Sequence, residues 1–491
     1  MGLMRFLVTP PERLTDEVAQ QAYVSGVDRA TWETRATADG GELALHRAVS
    51  DSGNLHLPWP VEGRGWLTLS TGSLLEQPQP YLLPLELARG TVNQLRNQLA
   101  DWQMIGLVPP EGIAAKVEEA VRCLAQAVVR QDDPPAAAQL SEEAIRIALD
   151  ASDAVVAAYV EQALAARRRG GAKINTMLAG DLGAVPLDDA TAGQFLAAFN
   201  AANVPVCWRE TEAVEGRFAW TVPDAQIEWC RANGLKVCAG PLLQLDHRGL
   251  PDWLCLWEGD FDSVLSFVTE FVRAAVSRYR GKIDVWQCAA RINTAETLKL
   301  TEEEKLRLTA RALELVHSLD PKAATVVSFD QPWAEYMARR DIDFPPLHLA
   351  DALIRAGLDL RGLILEVNCG YYPGGTLPRT LLEVSRQLDY WSALGLPLAI
   401  SLCAPSGGEA DPLAARPARV SPGPWTAKNQ QAWIARYLPL VLAKSYVQGV
   451  LWSQLRDDQP HDFPHGGLFD RQGRPKLALR TLASIRQTLL K

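Results

Sequence analysis

Beyond Gly171 the chain alternates eight short apolar runs with amphipathic, helix-length segments, and this alternation restricts the possible folds more than any other feature. The runs are residues 174–179, 204–208, 235–240, 283–289, 324–330, 362–368, 396–402 and 449–454. Strand followed by helix, repeated, is the pattern of a parallel α/β fold. Eight repeats within about 320 residues predict a closed (β/α)8 TIM barrel. One intervening helix is especially clear, because Phe261, Val264, Leu265, Val268, Phe271, Val272, Ala275 and Tyr279 form a continuous apolar stripe. An open doubly wound sheet would carry a Gly-rich phosphate loop after its first strand, and the sequence AGDLG from Ala179 to Gly183 is no such loop.

Ahead of the barrel the periodicity changes twice. Residues 1–85 read as short alternating strands: 32–37 and 42–48 flank Asp39-Gly40-Gly41, a hairpin turn in which glycine accepts positive φ, and 65–70 is another strand. These predict a small β-sandwich or half-barrel. From Glu86 the apolar spacing is helical, with Val92, Leu95, Leu99 and Trp102 on one face and Ile113, Val117, Val121, Leu124 and Val128 on a second helix. A loop at 132–135 is expected to end that helix, and Ser141 to cap a third bearing Ile145, Leu149, Val156 and Val160. The expected organisation is therefore a β-rich N-terminal domain (1–85), a helical connector (86–170) and the barrel (171–491), two or three folding units in a chain of 491 residues.

Composition narrows the partners. With 49 Lys+Arg against 58 Asp+Glu the net charge is −9, and no basic stripe exists beyond Arg167 to Arg169, which reads as a solvated helix end. Nucleic acid is thus not an expected partner. The apolar residues 6–8 are followed by Pro10 and Pro11, too short a run for a secretory segment, and no window reaches the roughly 18 apolar residues of a membrane span. A cytoplasmic location is expected. The eight cysteines lack any C-x-x-C spacing and read as reduced thiols. No cofactor is implied, and oligomeric state is not legible.

Three stretches carry a resemblance. Trp208 to Trp220 (WRETEAVEGRFAW) is similar to the K-W-E-x-T-E-P-x-x-G-x-F-x-W motif of the family 10 glycoside hydrolases, the retaining xylanase family. Arg278 to Trp286 (RYRGKIDVW) resembles the segment before that family's fourth-strand motif, and Gly467 to Lys476 (GLFDRQGRPK) the one that closes its barrel. The resemblance spans about residues 200–485 and implies a carbohydrate ligand such as xylan or an oligosaccharide. It also implies substituted chemistry. Two carboxyls about 5 Å apart are needed for retention, yet the family's W-D-x-x-N-E reads Trp286 to Arg291 (WQCAAR) here, and its I-T-E-L-D reads Ile400 to Ala404 (ISLCA). Arg291 and Leu402 thus stand where the family has its acid/base and nucleophile. Cys207, Pro241 and the triplet Glu366-Val367-Asn368 replace substrate-holding residues of the family.

Sites on this fold lie at the C-terminal ends of the strands. The candidates there are Glu210 and Glu212, Asp246, Asp330, Glu366 with Asn368, Arg291 with Asn293, and Arg456-Asp457-Asp458. Glu366, Asp330 and Asp457 are the candidate catalytic groups. Glu366 is also readable as a structural carboxylate paired with Arg291 or Arg456, and Asp330 as a cap for the turn near Ala334. Candidate substrate-binding residues are Asn368, Arg291, Arg456, Trp333, Tyr371, Trp425 and His461. The loop from Asp457 to His465 has ligand types for a metal but no fixed spacing, and reads as hydrogen-bonded by its own side chains. Cys207, Cys288, Cys369 and Cys403 lie near strand ends and read as small buried hydrophobes, and residues 406–424 as a lid. Two functions remain open: a divergent glycoside hydrolase using other carboxylates, and a noncatalytic carbohydrate-binding or scaffold pseudoenzyme.

Overall fold

The computed structural model describes residues 2–491 apart from 341, 343, 416, 417 and 424. The first eight strands are β1 (Gly2–Leu7), β2 (Tyr23–Ser25), β3 (Thr31–Trp32), β4 (Thr34–Asp39), β5 (Glu42–Arg47), β6 (Asn54–Val61), β7 (Gly65–Ser70) and β8 (Tyr81–Leu82). They form two four-stranded sheets, ordered β4-β5-β1-β8 and β3-β2-β6-β7. The β4–β5 hairpin turns on Gly40 and Gly41, whose φ of 54° and 87° suit the two-residue turn expected there.

Helix α1 (Asp16–Gln21) lies within this region, and α2 (Leu83–Met104), α3 (Ile113–Val129) and α4 (Pro134–Arg167) follow it. The third long helix starts earlier than the sequence suggested. Asp133 caps it by accepting from the Ala136 amide, and Pro134 and Pro135 occupy its first turn, where a missing N–H costs nothing. Ser141 is therefore buried inside the helix and donates to the Ala137 carbonyl. Leu83, Leu87, Ile145 and Leu149 share one apolar cluster with Phe6, Leu43, Leu57 and Trp59, so α2 and α4 complete the core of the sheets. Nor is Arg167 a solvated helix end. Its guanidinium donates to the Leu442 and Lys444 carbonyls and to Thr176, pinning α4 to the base of the barrel.

The remaining strands are β9 (Met177–Asp181), β10 (Ala201–Val204), β11 (Lys236–Ala239), β12 (Leu243–Gln244), β13 (Val285–Ala290), β14 (Ala324–Asp330), β15 (Gly362–Asn368), β16 (Tyr371–Tyr372), β17 (Leu398–Cys403), β18 (Arg419–Val420) and β19 (Val447–Trp452). Apart from the short β12 and the β16–β18 pair, they close in the order β9-β10-β11-β13-β14-β15-β17-β19, each parallel to its neighbour, with β19 returning to β9. This is the expected eight-stranded (β/α)8 barrel. Helices α5 (Asp189–Ala198), α6 (Trp208–Thr211), α7 (Thr221–Ala232), α8 (Phe261–Tyr279), α9 (Glu302–Leu319), α10 (Pro346–Arg355), α11 (Leu381–Ser392), α12 (Ala427–Ala443) and α13 (Leu477–Leu489) accompany it. The stripe on α8 is buried as anticipated at Val264, Val268, Phe271, Val272, Ala275 and Tyr279. No helix among the described residues is long and apolar enough to cross a membrane.

Three strands end two or more residues from where the sequence reading places them, the eighth at Trp452 instead of 454. The second ends at Val204 instead of 208, since Pro205 has no N–H to continue the ladder and Trp208 opens α6. The first runs to Asp181, because Ile174 pairs instead with Leu490 near the C-terminus. The N-terminal sheets are fastened to the barrel by two arginines. Arg339 donates to the carbonyls of Thr34, Gln20 and Ala22, and Arg379 to the Tyr23 hydroxyl at 2.8 Å while pairing with Glu335.

Candidate functional site

The C-terminal ends of the strands surround a cleft of about 680 Å³. Arg291, which follows β13, occupies its floor. Its backbone is left-handed (φ 57°), turning the side chain across the mouth. The guanidinium meets three carboxylates: Nε donates to Glu366 at 2.8 Å, Nη2 to Asp462 at 2.7 Å and Nη1 to Asp246 at 3.4 Å. Arg291 and Glu366 are both buried. Burial alone would lower the arginine pKa, but the charges of Glu366, Asp246 and Asp330 outweigh it and leave the cation held above its ordinary range. Glu366 accepts a second hydrogen bond from Ser328 at 2.7 Å. Asp246 accepts from Gln244 and from the amides of Arg248 and Gly249, and Arg248 pairs with Asp462. Of the two cations weighed for Glu366, Arg291 takes the role. Arg456 lines the cleft but pairs with Asp458 and Asp188.

The other sequence candidates lie deeper or elsewhere. Asp330 is buried below the cleft, accepting from the Gln331 amide and from Asn368, and its backbone is bracketed by Asn293. Asp457 is a buried partner of Lys476 and also accepts from Gln454 and the Gly467 amide. Glu212 is buried beneath Trp208 and Gly216. Trp333 packs under Arg379 at the junction with the N-terminal sheets. Tyr371 is fully buried against Phe463 and donates to the Pro464 carbonyl, while Trp425 bonds back to the Ser421 carbonyl. None of these six residues, nor Asn368, lines the cleft, and none of the described residues that do is Trp, Tyr or Phe. Glu296 is exposed and paired with Arg340.

His461 does line the cleft. It is held by Asp411 at 3.0 Å and by the Gln459 carbonyl, and Asp411 also accepts from the His465 amide and Arg471. These bonds set Asp411 down to about 2, against the effect of its burial. Among the described residues no group of three or more His, Cys, Asp or Glu is placed to hold a metal. Of the strand-end thiols, Cys288, Cys369 and Cys403 are buried, and Cys207 lines the cleft with its thiol on the Arg248 carbonyl. The expected lid at 406–424 includes residues 416, 417 and 424, which lie outside the described residues.

One group in the cleft was not anticipated. Asp181, at the end of β9, accepts from Asn203 at 2.7 Å and from the Gly183 amide at 2.8 Å. Burial nevertheless pushes its carboxyl up to about 6, with the Glu210 charge adding to the rise. Glu210 itself is exposed on the rim. Its signal in the sequence is an acidic residue directly after an apolar run, and the strand runs two residues beyond the apolar run to include it.

Residues 189–301 match the family model Glycosyl hydrolase family 10. The matched segment lies within the closed ring of strands, a (β/α)8 barrel similar to the family 10 glycoside hydrolases. Among solved structures, native xylanase 10B of Thermotoga maritima is 16% identical, with 67% of this chain and 97% of that chain covered and a TM-score of 0.49. Xylanase 10B of Thermotoga petrophila RKU-1, solved with xylobiose, is 17% identical over 66% of this chain and 95% of that one, with a TM-score of 0.49. Xylanase B of Clostridium stercorarium F9 gives 16%, 65%, 98% and 0.48 in the same order.

Proposed function

We propose that this chain is a carbohydrate-binding barrel in which the retaining chemistry of family 10 has been replaced by a fixed charge network. The observation that carries the reading is Arg291 bound to Glu366, Asp462 and Asp246. By the resemblance, Arg291 stands at the acid/base position and the buried Leu402 at the nucleophile. A guanidinium does not give up a proton near neutral pH, and a leucine has no nucleophilic atom. Glu366 is ion-paired, and Asp330 and Asp457 are engaged outside the cleft lining. The cleft retains polar groups suited to hydroxyls, among them Asn203, Gln244, Gln287, Ser401 and Gln454. Its volume lies within the roughly 300–1,000 Å³ of small-molecule sites, which suits a short β-linked oligosaccharide.

One observation favours the second reading, a divergent hydrolase. A carboxyl raised to about 6 at the edge of the cleft, Asp181, could donate a proton in mildly acidic solution. Titration calorimetry with xylo-oligosaccharides, alongside a reducing-end assay on the same samples, separates the two. Binding without release of reducing ends supports the first reading. Release that disappears in Asp181→Asn supports the second.

A further inference from the structure

A second cavity, of about 320 Å³, lies between the N-terminal sheets, helix α2 and the outer wall of the barrel. We propose that it is a ligand site distinct from the barrel mouth, taking a neutral, hydroxyl-rich molecule of mono- or disaccharide size. The proposal does not rest on the mouth being a sugar site.

The close approach that forms the cavity is built into the chain. Gly90 stands in the middle of α2, where glycine costs about 1 kcal/mol relative to alanine. A Cβ there would lie 1.9 Å from the Ser70 carbonyl oxygen, so α2 rests directly on β7. One and two turns further along, Asn93 and Asn97 line the cavity. Neither makes a side-chain hydrogen bond to any described residue. Each thus leaves two donors and an acceptor without a partner among the described residues at the cavity wall, the complement of a hydroxyl that both donates and accepts.

The charges in the wall cancel. Arg29 and Arg386 are balanced by Asp28 and Glu383, and all four are engaged, Asp28 by accepting from the Ala30 amide at 3.0 Å. Arg29 lies over the Tyr390 ring at 4.9 Å and donates to Gln387, and Arg386 donates to Glu383, which also accepts from the Trp333 indole. A wall with no net charge does not select an anion or a cation.

The opposite side carries Ser25 and His56, with Ser25 Oγ and His56 Nε2 2.8 Å apart and the imidazole stacked on Tyr23 at 4.6 Å. This pair is a poor nucleophile and base. Proton transfer from the serine would create an imidazolium in a site where burial and the charges of Arg379, Arg29 and Arg386 already depress the histidine to about 3. No described carboxylate bonds its other ring nitrogen. The pair is suited to binding: a neutral imidazole and a hydroxyl beside the amides of Asn54 and Gln94.

The test uses the intact protein with xylose, glucose, xylobiose and cellobiose as probes, inorganic phosphate as the anionic control, and hydrogen exchange read by mass spectrometry. The expected result is that at least one sugar protects residues 23–30 and 90–97, while phosphate protects neither. In Asn93→Leu/Asn97→Leu, which changes two exposed positions, the affinity of that sugar falls about tenfold, the worth of two neutral hydrogen bonds. The double variant's circular dichroism and melting temperature stay at wild-type values. Protection confined to the barrel mouth overturns the proposal and leaves the reading of the mouth intact. No protection by any of the four sugars, unchanged affinity in the double variant, or protection of these segments by phosphate also overturns it.

Discussion

Changing Glu366 to glutamine tests whether the floor of the mouth is held by charge. The perturbation keeps volume and shape and leaves an oxygen to accept from Ser328, but it turns a carboxylate oxygen facing Arg291 Nε into a neutral amide group. At ~4 Å between charge centres and an effective dielectric near 20, the lost attraction is about 4 kcal/mol. Part is returned because a charge no longer has to be buried, and Arg291 keeps Asp462 and Asp246. A net loss of about 1–3 kcal/mol follows, below the roughly 3–5 seen when a buried ion is left with no partner. Arg291→Met is predicted to cost more, since it leaves three carboxylates facing one another. Methionine carries the same left-handed backbone penalty as arginine, so the comparison isolates the side chain. In the Arg291→Met background, Glu366→Gln should become neutral or stabilising because it removes one of three like charges. Urea midpoints followed by tryptophan fluorescence, with Trp286 and Trp452 buried in the barrel wall, would read this cycle. If Glu366→Gln moved stability by less than about 0.5 kcal/mol in both backgrounds, a limit typical of unremarkable surface substitutions, the network would not hold the floor and the reasoning would fail.

Asp181 has a folded-state pKa above its unfolded value, so the folded form binds the extra proton and stability declines as pH rises from about 4 through 6. Asp181→Asn is predicted to raise stability by about 1–2 kcal/mol at pH 8 and to change it little at pH 4, a difference read from melting curves across pH. His56 behaves with the opposite sense of pH: its folded value, about 3, lies below the unfolded one, so the unfolded chain binds more protons between pH 3 and 6.5 and stability falls on acidification through that window. His56→Gln should flatten the acid limb by about 2–4 kcal/mol, and an unchanged limb would exclude His56 as its source. Lys476→Met leaves the buried Asp457 without its cation and should cost about 3–5 kcal/mol, whereas Lys476→Met with Asp457→Asn should recover part of it. Equal urea midpoints for the two variants would contradict that.

The barrel was legible because its signal is repeated: eight apolar runs, two of which, Ala324–Asp330 and Gly362–Asn368, have the expected bounds to the residue. Errors arose where a single residue decides the local outcome. Pro205 stops a strand whose apolar pattern continues past it, and Asp133-Pro134 opens a helix from a pair that also reads as a loop. The site was only partly legible. Strand-end position narrows the partner of Glu366 to Arg291 or Arg456, since all three lie at the same end of the ring, and the choice of Arg291 rests on Arg456 being paired with Asp188 and Asp458. The roles of Trp333, Tyr371 and Trp425 do not, since a loop aromatic on a rim and one packed under a neighbouring element share the same local sequence. What separates them here is where Arg379, Phe463 and the Ser421 carbonyl lie in space. Asp181 is illegible because the apolar run stops at Ala179 while the strand continues to Asp181, and two residues decide whether a carboxylate reaches the mouth.

The central expectation is that the mouth binds sugar without forming a glycosyl-enzyme bond. Its most direct test is intact-mass spectrometry of the protein incubated with an activated 2-deoxy-2-fluoro-β-xylobioside, a probe that accumulates the covalent intermediate of a retaining enzyme, with leaving-group release followed in parallel. The predicted result is an unmodified mass and release no faster than in buffer. A stoichiometric adduct mapping to any carboxylate of the cleft, with Asp181, Glu210 and Glu366 the residues to inspect, would contradict the account and identify the nucleophile that Leu402 cannot be.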